Sequence, residues 1–354
     1  MPLPGLLRAR RGLLLGLVVL LVAGAVGAAW WWTRAPAPAW EQAVRLAPAD
    51  TERVAFTRWS AVREQVGDPG TEQELLDAAY DRDLSSTSAL LSSSPGLEQL
   101  FGFSPATLDW EALAQGPSGA LLVLQLDEPD LDEVRERISA LGFTEPDEAD
   151  GVWAGGPDVL AASGADVTPE LQYLALDEES GRVLASDNGE FLGRVLRQST
   201  NLSDDGPAGV RQVVEAVGGS AGDPVSGVLY TPDHACASLA MGQADDADQS
   251  TARGLVREAG GVDPYTGFAL TAQEDGTFRA AMAFEDAATA RRNADARTAL
   301  ASGEAPGQGG TFSDRFTVGE AGADGEVVQL QLEPVEGAFV LSDLSSGPVL
   351  FASC

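Results

Sequence analysis

The sequence predicts an α+β protein in which helices pack on one face of mainly antiparallel sheets. Short apolar segments of strand length alternate with segments that have the apolar spacing of helices. Asp275-Gly276, typical of a type I′ hairpin turn, and Asp324-Gly325 separate pairs of predicted strands. A hydrophobic content of 44% in 354 residues is enough to form a core, so the composition is not that of a disordered chain.

The first element is a charge-free apolar stretch over residues 12–32. A helix needs about 20 apolar residues to cross the hydrocarbon core of a bilayer, and this stretch has that length. Preceding arginines favour a cytoplasmic N-terminus, and tryptophans at the end suit the opposite interface. These anchor residues are Arg8, Arg10, Arg11, Trp30, Trp31 and Trp32. We therefore expect a cytoplasmic tail over residues 1–11, a single membrane-spanning anchor over 12–32 and an extracytoplasmic remainder.

A cleaved signal peptide is the alternative interpretation of the same stretch. Signal peptides also have a basic start, an apolar core and small residues at the cleavage site, as in Ala23-Gly24-Ala25 or Val26-Gly27-Ala28. The length of the stretch and its tryptophan triplet favour an anchor in the cell membrane. The alternative is secretion after cleavage, and both interpretations export the chain from residue 33 onward.

The next segment, residues 33–50, is predicted to be a juxtamembrane spacer. It contains Ala-Pro-Ala-Pro at residues 35–38 and a short interfacial helix near Trp40. The first α+β domain is then predicted over residues 51–204. A serine-rich stretch over residues 85–94 fits either a mobile loop or a surface helix, whereas the large apolar residues of 100–110 predict core packing. In chain order, strands are predicted over 53–59, 120–126, 152–153, 172–176 and 182–186, and helices after Thr71 and Asp130 and around Phe191.

A second α+β domain is predicted over residues 205–354, after a polar linker. Its order of strand, helix and hairpin resembles that of the first domain, which suggests that the two domains arose by duplication. The pattern predicts a helix over 285–301 and strands over 228–231, 235–241, 268–271, 277–284, 327–332, 338–341 and 349–352.

The charge balance excludes several classes of function. The chain has 54 acidic and 22 basic residues and a formal net charge of −32, so its surface repels the phosphates of nucleic acids. All 22 basic residues are arginines. The absence of lysine excludes P-loop NTPases, pyridoxal-phosphate enzymes and Ser-x-x-Lys acyl enzymes, which require one. We expect no nucleic-acid partner and no cofactor.

Cys236 and Cys354 are the two cysteines of the chain. In an exported domain, an even number of cysteines favours a disulfide, which for a loop of this length would stabilise the fold by about 4–5 kcal/mol. Two unrelated buried thiols are the alternative.

Two parts of the sequence contain residues suited to nucleophilic catalysis. Gly218-Gly219-Ser220-Ala221-Gly222 has the G-x-S-x-G pattern of α/β-hydrolases, but here a helix precedes the serine and a strand follows, which reverses the required order. His234, the single histidine, lies beside Cys236, yet a disulfide would remove the thiol nucleophile. We therefore predict no catalytic residue, and a Gly-rich loop explains the first motif better.

Two acidic clusters are candidate calcium sites. One comprises Asp245, Asp246 and Asp248, and neither cluster has EF-hand spacing. Acidic residues favour helix N-termini, and both clusters precede predicted helices, so we predict capping rather than metal binding. The other cluster consists of Asp127, Glu128, Asp130 and Asp132.

The Arg-flanked anchor, residues 40–66 and residues 100–110 resemble membrane-anchored extracytoplasmic proteins of actinobacteria for which no activity is known. The resemblance implies a location in the cell envelope, and no site residues carry over. The sequence thus leads to the hypothesis of a membrane-anchored, non-catalytic binding or interaction module, in contact with the bilayer and with other envelope proteins. An exported hydrolase that acts on an envelope polymer is the alternative.

Overall fold

The computed structural model describes residues 37–67, 69–148, 150–218 and 222–354. The predicted tail and anchor, with all six anchor residues, lie outside the described residues, as do Gly219, Ser220 and Ala221 of the G-x-S-x-G motif. In the part of the chain that is described, no helix combines the length and apolar character needed to span a membrane.

The strands of the described residues form one sheet, and every pairing in it is antiparallel. The predicted α+β class with antiparallel strands is therefore confirmed. The strands are β1 (Arg53–Thr57), β2 (Leu108–Gly116), β3 (Gly119–Leu126), β4 (Trp153–Ala154), β5 (Tyr173–Asp177), β6 (Arg182–Ser186), β7 (Ser226–Tyr230), β8 (Gly267–Ala272), β9 (Phe278–Ala283), β10 (Phe316–Asp324) and β11 (Val327–Pro334).

The helices are connected by short 3₁₀ turns and loops. They are α1 (Ala39–Leu46), α2 (Trp59–Val66), α3 (Glu72–Asp81), α4 (Ser94–Phe101), α5 (Leu131–Leu141), α6 (Gly156–Ser163), α7 (Gly189–Val195), α8 (Leu202–Asp205), α9 (Ala208–Gly218), α10 (Pro232–Ser238), α11 (Asp246–Glu258), α12 (Ala287–Ala301) and α13 (Val340–Leu344).

The sheet consists of two halves with the same strand order. Its spatial order is β10-β11-β9-β8-β7-β1-β2-β3-β6-β5-β4. The first strands of the two halves, β1 and β7, pair at the centre, with Ala55 opposite Val228. Outward from this pair, β2-β3-β6-β5 on one side corresponds to β8-β9-β11-β10 on the other, and β4 is additional.

The two predicted domains share this sheet. Residues 39–354 form one compact unit, and the predicted boundary at residue 204 falls inside α8. This differs from the two-domain division of the sequence analysis because β1 and β7 pair along their whole length. The polar stretch near residue 204 therefore does not separate two independently packed domains.

Helices cover both faces of the sheet, which corrects the prediction of one covered face. Val54 and Phe56 belong to a core cluster with α1, α7, α8 and α9, whereas Ala55 faces a second cluster formed with the other helices. The physical reason is that the central strands are apolar on both sides, so each face must be removed from water.

The predicted spacer also contributes to this core. The helix near Trp40 exists as α1, but the Trp40 side chain is fully buried and packs edge-on against Phe56, with ring centroids 5.4 Å apart. Residues 39–46 are therefore part of the folded unit rather than a juxtamembrane linker, because their apolar face pairs with the sheet.

Three predicted strands are helical. Residues 235–241 lie largely in α10, which begins at Pro232, a residue favoured at the first helical position. Residues 338–341 lead into α13, whose first amides donate to the buried carboxylate of Asp83. Residues 349–352 contain a 3₁₀ turn. In each case the apolar run resembles that of a strand, so its local pattern does not distinguish the two conformations.

The hairpin between β8 and β9 is confirmed, but its turn differs from type I′. Gly276 has a φ of +81°, whereas Asp275 keeps a negative φ and its carboxylate accepts hydrogen bonds from the backbone and hydroxyl of Thr277. A type I′ turn needs positive φ at two successive residues. The aspartate side chain stabilises the alternative turn.

The serine-rich stretch is neither a mobile loop nor a surface helix. Ser85, Thr87 and Ser93 are buried within a run of turns that leads into α4. The following apolar segment packs in the core as predicted, with Phe103 fully buried and Trp110 nearly so. The Thr87 hydroxyl donates a hydrogen bond to the Phe56 carbonyl, whereas the buried Ser85 hydroxyl has no hydrogen-bond partner among the described residues.

Candidate functional site

A cavity of about 470 Å³ lies beside the cysteine pair, and we call it the C-terminal pocket. Its walls come from α10, α11, the 3₁₀ turn over Met241–Gln243 and the last residues of the chain. The lining is mainly apolar. The apolar side chains are Ala240, Met241, Ala252, Val256, Val262 and Leu350.

The wall formed by α11 is set by local sequence. The Asp245 side chain accepts a hydrogen bond from the Asp248 amide and so begins the helix, while Arg257 lies in the last turn. This charge distribution suits the helix dipole. The predicted capping role of this acidic cluster is confirmed, and it places Ala252 and Val256 toward the pocket.

The opposite wall is held by the cysteine pair. Cys236 on α10 and Cys354 are within disulfide-bonding distance, with Cα atoms 5.5 Å apart, as the sequence predicts. A thiol nucleophile beside His234 is therefore not available at Cys236. The cross-link joins the end of the chain to the connection between β7 and β8.

Arg297, on α12, holds the same C-terminal segment from the inside. Its guanidinium donates to the carbonyl oxygens of Phe351 and Ser353, at 2.6 and 3.1 Å, and to that of Asp263 at 2.7 Å. The Tyr265 hydroxyl donates to the Ala352 carbonyl at 2.8 Å. This buried cation fixes the backbone that forms one side of the pocket.

Burial lowers the pKa of Arg297 to about 10. The guanidinium is fully buried and lies 5.3 Å from the ring centroid of Tyr265 and 5.5 Å from that of Phe284. The rings supply favourable cation–π contacts, and the carbonyl groups satisfy its donors. Arg297 therefore remains charged at neutral pH.

Two arginines on α11 line the mouth of the pocket. Arg253 and Arg257 are four residues apart, so they lie on one side of the helix, and both are exposed. Among the described residues, neither is within ion-pair distance of a carboxylate. Sequence reasoning missed these residues, although their spacing beside Ala252 and Val256 is a readable signal.

Of the remaining sequence candidates, His234 does not line this pocket. The His234 imidazole is partly exposed, with Nδ1 3.4 Å from a Glu52 carboxylate oxygen and its ring 5.4 Å from that of Tyr230. Ser220 lies outside the described residues, and α9 precedes it while β7 follows. That order is opposite to the strand-then-helix order of a nucleophile elbow, as the sequence analysis predicts.

The other acidic cluster caps a helix. The Asp130 side chain accepts a hydrogen bond from the Glu133 amide at the start of α5. The Asp127 carboxylate pairs with Arg63 at 2.9 Å. Within the described residues, no group of three or more potential ligands is arranged to hold a metal ion.

A buried polar cluster that the sequence does not predict lies under the serine-rich stretch. Glu111 on β2 is 1% exposed, and its Oε1 accepts a hydrogen bond from the Ala89 amide at 2.9 Å. Its Oε2 has no hydrogen-bond partner among the described residues. On adjacent strands, Thr57 lies opposite Glu111 and Ser226 lies opposite Thr57. Desolvation outweighs the hydrogen bonds to this carboxylate and raises its pKa to about 7.

Replacement of Glu111 by glutamine is expected to stabilise the protein at pH 8. Folding raises the pKa of Glu111 from 4.5 to about 7, so ionisation of this carboxyl lowers the free energy of unfolding. The loss is absent below about pH 4.5 and complete above about pH 7. For a shift of this size it amounts to roughly 3 kcal/mol. Wild type should therefore lose stability relative to E111Q as pH rises through this window. Thermal unfolding of the full chain at pH 5 and pH 8 measures the difference.

The matched control is Glu136→Gln, which removes an exposed carboxylate of α5. This variant should change the melting temperature only slightly, and by the same amount at both pH values. A wild-type minus E111Q difference that does not vary with pH would show that Glu111 is not the titrating group.

Comparison of this chain with protein-family models, with curated proteins and with solved structures found no match in any of the three.

Proposed function

We propose that this chain is a single-pass protein of the cell membrane whose exported part is a non-catalytic binding module of the envelope. The charge-free stretch over residues 12–32, with arginines before it and tryptophans at its end, supports the anchor. The cysteine pair at disulfide distance supports export, because disulfides persist in oxidising compartments.

The observation that carries the binding function is the C-terminal pocket. Its volume of about 470 Å³ lies within the range of roughly 300–1,000 Å³ that small-molecule sites occupy. Its interior is apolar, and a few polar groups converge at its mouth. This combination is typical of a site that buries most of a small ligand and orients it by a few contacts.

The position of the pocket supports a duplicated origin followed by specialisation. In the first half, α2, α3, α4 and the buried serine-rich stretch fill the connection between β1 and β2. In the second half, the corresponding connection between β7 and β8 contains α10 and α11 and leaves the pocket open. We propose that one half retained a closed core while the other acquired a binding site.

The test is native mass spectrometry of the full chain isolated from washed membranes. Wild type should retain a small bound molecule, and Val256→Trp should lose it, because the indole would fill the cavity from α11. Gly254→Trp is the matched control on the same helix, since a Cβ atom added there would meet no other atom within 4 Å and Gly254 does not line the pocket.

Four results would contradict this proposal. Recovery of the chain from the medium instead of the membranes would show that the apolar stretch is cleaved. The absence of a bound molecule from wild type and G254W, or equal retention by V256W, would argue against the pocket as the site. Hydrolysis of isolated envelope polymer by the full chain would favour the alternative function of an exported hydrolase.

A further inference from the structure

We propose that the C-terminal pocket binds a single-chain amphiphile with a carboxylate head, a ligand of the fatty-acid type. The inference rests on the proposed binding function and specifies its ligand class. The apolar chain would occupy the cavity, and the carboxylate would lie at its mouth between Arg253 and Arg257.

The first argument is electrostatic. The chain carries a net charge of −32, so an anion is repelled from most of its surface. Arg253 and Arg257 line the pocket mouth without a carboxylate partner among the described residues. Arg45 in α1, by contrast, forms an ion pair with Glu41. The unpaired arginines therefore make the mouth a locally favourable place for an anion.

The second argument is geometric. Gln249, Arg253 and Arg257 follow one another at four-residue intervals, so they form a polar row along α11. Ala252 and Val256, each adjacent in sequence to an arginine of the row, contribute to the apolar wall. A guanidinium donates two parallel hydrogen bonds to a carboxylate, which suits a head group better than the point charge of an ammonium would.

The third argument concerns the interior. Beyond the row of polar side chains, the cavity is lined by Met241, Val262 and Leu350. The flexible side chain of methionine adapts its shape to the ligand it contacts. Displacement of water from apolar side chains by a hydrocarbon chain lowers the free energy of the complex. An anion without an apolar part would leave this surface hydrated, so an amphiphile fits both regions.

The experiment is isothermal titration of the full chain in phosphatidylcholine nanodiscs, with empty nanodiscs as the reference for partitioning into lipid. The probes are decanoate, decanol and decyltrimethylammonium, which share a chain and differ in head-group charge. Decanoate should bind at least about tenfold more tightly than either of the others, as expected for charge-assisted hydrogen bonds. The double variant R253A/R257A should weaken decanoate binding about tenfold and leave decanol affinity unchanged within about twofold.

Arg211→Ala is the matched control, because it removes an exposed arginine on α9, which packs on the opposite face of the sheet. It should leave the affinity for decanoate unchanged. Equal affinities for decanoate and decanol, or an R253A/R257A variant that binds decanoate like wild type, would overturn the carboxylate assignment. If V256W still abolished decanol binding, the proposed binding function would stand. Both proposals would be contradicted if no probe bound and if V256W also retained as much of the bound molecule as wild type in the mass-spectrometric experiment.

Discussion

Replacement of Cys354 by serine is expected to destabilise the folded unit by about 4–5 kcal/mol, the largest single effect that the structure indicates. The cross-link joins residues separated by 118 positions, and its removal restores the entropy of that loop to the unfolded chain. For a protein of this size the melting temperature should fall by on the order of 10 °C. Thermal unfolding of the full chain in nanodiscs measures the change.

Three further samples serve as controls for this prediction. Cys236→Ser, the double serine variant and wild type treated with a reductant each lack the same cross-link, so their melting temperatures should agree with that of C354S. A fall of less than about 2 °C in all four samples would show that the cysteine pair contributes little to stability. Disagreement among them would assign the effect to the substituted side chain instead.

Replacement of Arg297 by methionine is expected to cost about 3–5 kcal/mol. Methionine keeps much of the volume but donates no hydrogen bond, so the buried carbonyl groups of Asp263, Phe351 and Ser353 lose a donor. The hydrogen bond from Tyr265, the cysteine pair and the packing of Phe351 against Phe312 would still hold the C-terminal segment. The melting temperature of the full chain, compared with that of wild type, gives the loss.

Arg292→Met is the matched control on the same helix. Arg292 is 63% exposed, and its ion pair with Asp263 at 3.5 Å should contribute less than about 1 kcal/mol. In the C354S background the cost of R297M should be smaller than in wild type, because both groups act on residues 350–354. Equal effects of R292M and R297M would contradict the structural role of the buried guanidinium.

Local pattern predicts much of this fold correctly. Asp130 and Asp245 are N-caps, as their positions before helical periodicity indicate, because an aspartate at this position satisfies amides that lie within the same turn. The pairing of Cys236 with Cys354 needs no spatial information, since an even number of cysteines in an exported domain favours pairing. The antiparallel strands and the hairpin before α12 follow from alternation and from glycine in turns.

The candidate site could be predicted only in part. The cysteine pair of the C-terminal pocket is visible in the sequence, whereas the arginines of α11 gain significance only when the last residues of the chain lie opposite them. Glu111 likewise reads as a polar residue of a strand. Its burial depends on the serine-rich stretch that covers it, and that stretch has no periodicity from which a covering role could be inferred.

The amino-acid pattern alone determines those features whose interacting residues are near one another in the sequence. These are the helix caps, the hairpins, the α+β class and the apolar anchor that we propose. Tertiary structure decides the features whose partners are far apart in the chain. Asp83 caps α13, and Arg297 binds the carbonyl groups of residues 351 and 353, so segments that look like strands become helical turns. The pairing of β1 with β7 joins the two predicted domains, and helices cover both faces because both are apolar. Such contacts satisfy buried polar groups and remove apolar surface from water only after the chain has folded, so no short stretch of sequence encodes them.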